Sequence, residues 1–381
     1  MTSSPMAPGG EVYRVTTLEL FFDLVFVFTL IQLSHVLVDE LTPLGFFRIV
    51  LMFGVLWWMY GGYAWLTNTL APTTTARRLI ILVGMGGFLM VAIATPTTFE
   101  DGGVVWGLGY LVLVLAHATL YAQDNKHILR VLPANLLAAA LIIVAGLLTP
   151  GPAVYALWTA ALIVPIAQPY IVPAGGLFTI RPAHIVERHG LLVMITIGES
   201  IISAGSGAVN AHLDAGLVVA VLLGLALAAA IWWSYFTGDD ARAEESLAAA
   251  DDVHRTQMTM FGYFYAHMPM IIGVIVIAAG MKKAVGHAWD HLSVGPALAL
   301  AGGVALYLAG NAAFRGIMRI GPSRARLGGA AAALAAAPVG LWVAAAEIAG
   351  LVLVIVAVLV LEARVPRADA VAPGLGQSSG D

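Results

Sequence analysis

Apolar stretches about 20 residues long recur along the whole chain and leave almost no room for a water-soluble fold. A helix of about 20 residues crosses the hydrocarbon core of a bilayer. Of the 381 residues, 60% are hydrophobic and only 10% are charged, and a soluble domain cannot bury that much apolar surface in its own core. The sequence therefore predicts an all-α, polytopic integral membrane protein.

Charged or Pro/Gly-rich breaks divide the apolar sequence into twelve predicted spans. The last boundary is the weakest, because only residues 344–347 separate the final two spans. The predicted spans are 17–38, 44–66, 78–99, 104–122, 130–148, 153–174, 189–207, 214–236, 257–280, 292–313, 327–345 and 347–363.

The basic residues predict an orientation for these spans. With the N-terminus in the cytoplasm, 15 of the 18 lysines and arginines fall on the inner side, and only Arg48, Lys282 and Lys283 fall on the outer side. Cytoplasmic loops carry an excess of Lys and Arg. We therefore expect both termini to be cytoplasmic.

The flanking and linking segments are polar. Residues 1–16 form a predicted cytoplasmic segment, and residues 364–381 are rich in Pro, Gly, Ser and Ala, which predicts a disordered cytoplasmic tail. A predicted cytoplasmic linker, 175–188, separates six spans in residues 17–174 from six spans in residues 189–363.

The two halves carry weak similarities to each other. A Trp-Trp-x-Tyr motif begins at Trp57 in span 2 and at Trp232 in span 8. Gly109 in span 4 and Gly303 in span 10 are each followed eight residues later by a polar side chain. Two halves of six spans would share one orientation, as in transporters with parallel repeats. The alternative is coincidence, since aromatic pairs are common at membrane interfaces.

Carboxylates at membrane depth are the first candidate functional residues. A charged side chain at a helix centre costs about 2.5 to 3.5 kcal/mol on insertion scales, so it implies a partner, a cavity or a function. Glu199 is expected near the midplane of span 7. In span 1, Glu19 and Asp23 share a face, and Gln32 extends the polar residues toward the outer end. Ion handling and simple helix locking both remain open for these side chains.

Other polar residues and prolines extend the candidate set. His267 lies inside span 9, and Pro269 removes a backbone donor beside it. His117 in span 4 and Asn311 in span 10 either line a polar path or form hydrogen bonds between helices. Prolines spaced four residues apart predict a kinked or broken span 6, and they are Pro165, Pro169 and Pro173.

The sequence lacks the motifs that mark several common enzyme and metal-binding sites. The chain has no cysteine, no glycine-rich phosphate loop, no His-Glu-x-x-His zinc helix and no Gly-x-Ser-x-Gly elbow. We therefore expect no cofactor and no metal site, and the sequence does not support direct use of ATP or the commonest metalloprotease and serine hydrolase chemistries. Other enzyme activity stays open. No basic cluster with interleaved aromatics points to nucleic acid. The expected partners are the lipid bilayer and a small cation or small solute.

Four motifs resemble a known family. They are residues 17–28, the pair Glu187-Arg188, residues 198–201 and residues 265–269. Together they resemble the bacterial low temperature requirement protein A (LtrA) family. The resemblance implies a multi-pass protein of the bacterial cytoplasmic membrane and leaves its biochemical activity open.

A second resemblance is to a potassium channel family whose first helix carries a Phe-Ser-Asp signature and whose animal members join two six-helix repeats. Here Phe21-Phe22-Asp23 stands in place of that signature, so the serine is absent.

Two hypotheses of function follow from the sequence. In the first, Asp23, Glu199 and His267 line or gate a route for a cation, a proton or a small solute. In the second, the protein does not transport, and acts as a sensor of the bilayer or as an intramembrane enzyme on a lipid.

Overall fold

The computed structural model describes residues 14–123, 130–171, 180–208 and 212–364. Within these ranges the chain forms fourteen α-helices, one short 3-10 turn and one π-helical segment, and it contains no strand. Pro173, most of the N-terminal segment and the tail after residue 364 lie outside the described residues. The helices are α1 Thr17–Asp39, α2 Pro43–Thr69, α3 Thr75–Ala94, α4 Gly103–Tyr121, α5 Leu132–Gly146, α6 Pro152–Ile171, α7 Pro182–Ala208, α8 Ala215–Phe236, α9 Asp239–Ala249, α10 Asp252–Met258, α11 His267–Ala284, α12 Val294–Met318, α13 Arg324–Gly340 and α14 Ala344–Arg364; the 3-10 turn is Thr95–Thr97 and the π segment is Thr259–Ala266.

Eight helical stretches in the described residues are long and apolar enough to cross a membrane. They are α1, α2, α3 with the 3-10 turn, α4, α8 with α9, α10 continued through the π segment into α11, α12 and α14. Helix α5 and the Pro152–Gln168 part of α6 are apolar but shorter. The prediction of an all-α, polytopic membrane protein is confirmed, and the count of twelve spans stays a prediction.

Two helix boundaries differ from the sequence prediction. Helix α7 begins at Pro182, inside the predicted 175–188 linker, so the residues before 189 already belong to the bundle. The predicted break at 344–347 is wrong, because α14 begins at Ala344 and the chain turns at residues 341–343 instead. An alanine-rich sequence has no intrinsic preference for ending a helix, since alanine is the best helix former.

Polar side chains cap several helix starts. The hydroxyls of Thr16, Thr42 and Thr74 accept backbone hydrogen bonds at the starts of α1, α2 and α3, where the first amides of a helix lack partners. Asp251 does the same for α10. At that exposed position, the amide and imidazole of His254 hold the pKa of the Asp251 carboxyl below its usual range.

The helices pack in two sets with matching contacts. In the first set, α1 contacts α2 and α3, α4 lies between α3 and α5, and α6 contacts α5 and α2. In the second set, α7 contacts α8 and α11, α12 lies between α11 and α13, and α14 contacts α13 and α8. Helices α1 and α2 also contact α7 and α11. This junction between the two sets is called the seam below.

Glycine pairs allow the closest helix approaches in each set. A Cβ added at Gly87 of α3 would lie 2.9 Å from the carbonyl oxygen of Gly109 in α4. A Cβ at Gly273 of α11 would lie 2.6 Å from the carbonyl oxygen of Gly303 in α12. Small residues at such crossings are typical of membrane helices, because van der Waals contact there replaces the hydrophobic drive.

The Gly303 crossing predicts a difference between two adjacent substitutions. In Gly303→Ala the new Cβ meets Ile277 Cγ1 at 2.7 Å and the Gly273 carbonyl at 2.8 Å, so the free energy of unfolding should fall by about 1 to 3 kcal/mol. In Gly302→Ala the new Cβ meets no described atom within 4 Å. Thermal unfolding in detergent should therefore show a loss for the first variant and none for the second. Equal stability of the two variants would contradict this packing.

Candidate functional site

Buried ionisable side chains converge on the seam near the end of the bundle where α1 begins. Glu19 and Asp23 come from α1, and His184 and Arg188 come from α7. All four are at most 1% exposed, although apolar helices surround them. Such groups in a membrane bundle are expensive unless they are paired, and they mark functional sites by default.

Glu19 has a donor for each of its oxygens. Its Oε2 accepts from the Thr16 amide at 2.8 Å and from the Thr16 hydroxyl at 2.7 Å, which also caps α1. Its Oε1 lies 2.9 Å from His184 Nε2. On the other side of that imidazole, Asn68 Nδ2 lies 3.2 Å from Nδ1. Because the amide donates to Nδ1 and Nε2 donates to the carboxylate, His184 is the neutral tautomer with its proton on Nε2.

Arg188 joins the two carboxylates. Its guanidinium donates to Asp23 Oδ1 through Nη2 at 2.8 Å and Nε at 3.2 Å, and it reaches Glu19 Oε1 at 3.5 Å. A further bond runs from Nη1 to the Thr67 hydroxyl. The guanidinium carbon also lies 5.6 Å from the ring centres of Phe22 and Tyr60, where a cation is attracted to the ring faces.

The charges of this group do not balance. Two carboxylates share one guanidinium, and His184 is neutral by its hydrogen bonds. With both acids ionised the group therefore carries one net negative charge. Asp23 Oδ2 has no hydrogen-bond donor among the described residues. The Tyr60 hydroxyl lies close enough to interact with Asp23 and Arg188.

Two imidazoles continue the seam toward the bundle interior. His189 follows Arg188 on α7, and its ring centre lies 5.5 Å from that of His267 and 6.5 Å from that of Tyr60. His189 Nδ1 donates to the Ile185 carbonyl at 2.9 Å. Because a carbonyl oxygen only accepts, the geometry leaves the lone pair of the neutral imidazole on Nε2.

His267 is held by the π segment and by α8. Its Nδ1 donates to the Gly262 carbonyl at 2.9 Å, and its Nε2 lies 2.9 Å from the Tyr235 hydroxyl, which donates. The Tyr263 ring stacks on the imidazole with centres 5.0 Å apart. π-helical turns often occur at functional sites, and Pro269, just after the π segment, cannot supply the next backbone donor.

Glu199 lies away from this group, toward the other end of the seam. It is eleven residues beyond Arg188, roughly 16 Å along α7 at about 1.5 Å per residue. Its Oε1 accepts from the Ser203 hydroxyl at 2.7 Å, and Oε2 has no partner among the described residues. Lys282 at the end of α11 interacts electrostatically with Glu199 and with His35 of α1. Both ends of the seam therefore carry ionisable groups on the same three helices.

A second ion network lies in the second set of helices. Arg315 of α12 donates to Asp239 at 2.9 Å, and Arg326 of α13 donates to Glu362 of α14 at 2.8 Å. Arg326 also binds Asn311. Two acids meet three arginines here, because Arg242 of α9 also pairs with Asp239, and each acid is paired. This network joins α9, α12, α13 and α14, and it gives Asn311 a structural partner.

The remaining predicted residues are scattered. Gln32 is half-buried on α1. His117 packs on the Tyr63 ring at 5.2 Å and lines a cavity of about 220 Å³ between α2, α4, α5 and the π segment, rather than the seam. Helix α6 continues through Pro165 and Pro169 as far as Ile171. Within the described ranges, no three His, Cys, Asp or Glu side chains converge as a metal ligand set.

Four members of the seam were not among the predicted site residues. His184 and Arg188 lie within the predicted 175–188 linker and His189 follows it directly, where a basic residue resembles an ordinary cytoplasmic charge. Tyr60 looks like an interfacial aromatic residue. The Glu187-Arg188 pair in the family resemblance was the available signal.

These features define a multi-pass membrane protein with a buried ionisable site between two sets of helices. The comparison with protein families is more specific, because the bacterial low temperature requirement A (LtrA) model matches residues 14–361. The chain belongs to that family.

A bacterial relative matches most of the chain. The chain is 30% identical over 310 residues to uncharacterized protein RA0937 of Rhizobium meliloti (strain 1021), and the match covers 77% of this chain and 75% of that protein. No solved structure matches this chain. The resemblance to the potassium channel family is supported by none of these matches.

The shared guanidinium predicts a rescue between α1 and α7. Arg188→Leu removes the guanidinium that pairs with Glu19 and Asp23, and breaking a buried pair in this way costs about 3 to 5 kcal/mol. Adding Asp23→Asn replaces the carboxyl group that has lost its Arg188 donors with an uncharged amide and should recover part of the loss. Chemical unfolding in detergent measures both variants. An additive effect of the two substitutions would contradict the pairing.

Proposed function

We propose that this protein is a cation-coupled transporter of the bacterial cytoplasmic membrane, with twelve spans and both termini in the cytoplasm. The observation that carries the proposal is the unbalanced group of Glu19, Asp23 and Arg188, buried where the two sets of helices meet. Ionisable residues at such depth mark ion pathways and proton relays. The transported species is a small cation or a small solute.

We infer in addition that the chain is an internal duplication, which fits this proposal. The two sets repeat the same helix contacts, and the Gly87–Gly109 crossing has its counterpart in the Gly273–Gly303 crossing. A further match pairs the Gly103–Gly146 contact of α4 and α5 with the Ala297–Gly340 contact of α12 and α13; each residue of the second contact is 194 positions after its counterpart. Two repeats of six spans would share one orientation. Transporters built in this way bind their substrates at the repeat interface.

The seam also has polar groups toward both ends, as alternating access requires. The Asp23–Arg188 pair closes the end where α1 begins. Glu199 and Ser203 lie toward the other end, within the electrostatic reach of Lys282. Rocking of one set against the other would open these ends in turn. In the conformation described, Asp23 and His267 are fully buried, so this state is occluded.

The second ion network serves as an internal contrast. Both of its acids, Asp239 and Glu362, are paired with arginines, and with Arg242 the network has more bases than acids. Such a set ties helices together and leaves no unpaired acid for a transported ion. We therefore assign ion coupling to the seam and helix fastening to the second network.

Flux measurements test the proposal. Purified protein in liposomes is given gradients of potassium, sodium and protons in turn, and each flux is corrected for the amount of folded protein. Asp23→Asn and Glu199→Gln should abolish the flux that the unchanged protein shows. Glu362→Gln makes the same chemical change outside the seam and should retain it. Unchanged flux in both seam variants would contradict the assignment.

A bilayer sensor is the second candidate, and the dense burial of the seam favours it. Asp23, His184 and His267 are fully buried, as expected of groups that only hold helices together. In that case Glu199→Gln and His267→Gln lower the melting temperature in detergent, and neither the unchanged protein nor the variants show flux of any tested ion.

A further inference from the structure

We propose that the coupling ion is the proton and that Asp23 binds it in the occluded state, while Glu19 stays ionised. This inference rests on the proposed transport function and deepens it, because it names the ion and the oxygen that binds it. The charge count of the seam supports it, because Arg188 is the one Lys or Arg side chain among the described residues that pairs with Glu19 and Asp23.

The charge count requires one more positive charge. With Glu19 and Asp23 ionised and Arg188 charged, the group carries one negative charge in an apolar bundle, and an uncompensated buried charge costs several kcal/mol. One proton on a carboxylate oxygen makes the group neutral. The proton comes from water at the open end, and its binding converts one carboxylate to a carboxylic acid with no other bond changed.

The hydrogen bonds distinguish the two acids. Glu19 accepts from Thr16 twice, from His184 and from Arg188, so its ionised form is fully satisfied. Asp23 accepts from Arg188 through Oδ1, and the Tyr60 hydroxyl also interacts with its carboxyl group. Asp23 Oδ2 has no donor among the described residues, which suits a protonated oxygen that itself donates. The Tyr60 hydroxyl is the nearby polar group with lone pairs to accept.

A metal cation fits this position less well than a proton. Calcium and magnesium ions require several oxygen ligands, whereas the described His, Cys, Asp and Glu side chains form no set of three that could hold one. Arg188 also places a fixed positive charge 2.8 Å from Asp23 Oδ1. A proton needs one oxygen and no coordination shell.

Protonation of Asp23 also changes the ion pairs that Arg188 makes. While Asp23 is ionised, the guanidinium bridges two carboxylates of α1. Once Asp23 is neutral, Glu19 is the remaining anion, and the attraction between α7 and the inner turn of α1 weakens. The other titratable groups that face this cluster are Tyr60 of α2, His184 and His189 of α7, Tyr263 of the π segment and His267 of α11.

Infrared spectroscopy tests the site without relying on transport. The carbonyl stretch of a protonated carboxyl group is recorded for purified protein near neutral pH, in water and in heavy water. The unchanged protein should show a component that is lost in Asp23→Asn, retained in Glu19→Gln and shifted in Asp23→Glu. Glu362→Gln, outside the seam, should leave the component in place. A spectrum that is the same in Asp23→Asn and in the unchanged protein would overturn the proposal.

The two proposals fail in different ways. If the Asp23 component is present and no gradient drives any flux, the proton site stands and the transport function fails. If sodium or potassium flux occurs with no change of internal pH, and the Asp23 component is absent, transport stands and the proton assignment fails. Proton flux that Asp23→Asn abolishes, together with the lost component, supports both.

Discussion

A charge buried in a membrane protein has to be neutralised within the bundle, and the seam of this protein depends on that constraint. Arg188 satisfies it for two carboxylates at once, from a different helix. The side chains around Arg188 hold the guanidinium and the carboxylates in position. Thr67 and the rings of Phe22 and Tyr60 fix the guanidinium, while Thr16 and His184 fix Glu19. The start of α1 is thereby tied to the start of α7.

The apolar packing and the polar groups have separate roles. Glycine crossings let α3 approach α4 and let α11 approach α12, so each set is held by backbone contact rather than by charge. The network of Asp239, Arg315, Arg326 and Glu362 adds ion pairs within the second set. The group in which two acids share one arginine lies at the junction of the sets. Rigid halves around a polar junction are the arrangement from which rocking transporters are built.

The sequence predicted the helical membrane fold well, because apolar stretches of spanning length are unambiguous. It also predicted Glu19 and Asp23, since carboxylates inside an apolar stretch are conspicuous. It missed Arg188, because a basic residue within a predicted cytoplasmic linker matches the usual cytoplasmic excess, and the burial of Arg188 depends on where α7 begins. The start of α7 also changes the position of Glu199 within its helix. With α7 starting at Pro182, Glu199 lies in the second half of the helix rather than at its centre.

The sequence could predict neither the π segment nor the tautomers of the histidines. Hydrogen-bond partners such as the Gly262 carbonyl and the Tyr235 hydroxyl come from elements that only tertiary packing brings to His267. The boundary between α13 and α14 failed for a different reason. Residues 344–347 contain three alanines, which continue a helix as readily as they flank one.

The distance along the chain between Asp23 and Arg188, 165 residues, has a consequence for how the protein is made. When α1 enters the bilayer, its two acids have no base to meet, because α7 has not yet been synthesised. Until α7 is inserted, the two acids of α1 therefore have to be shielded from lipid or protonated. The first six predicted spans cannot pair these acids with a base of their own, and Arg188 from the second half completes the pairing.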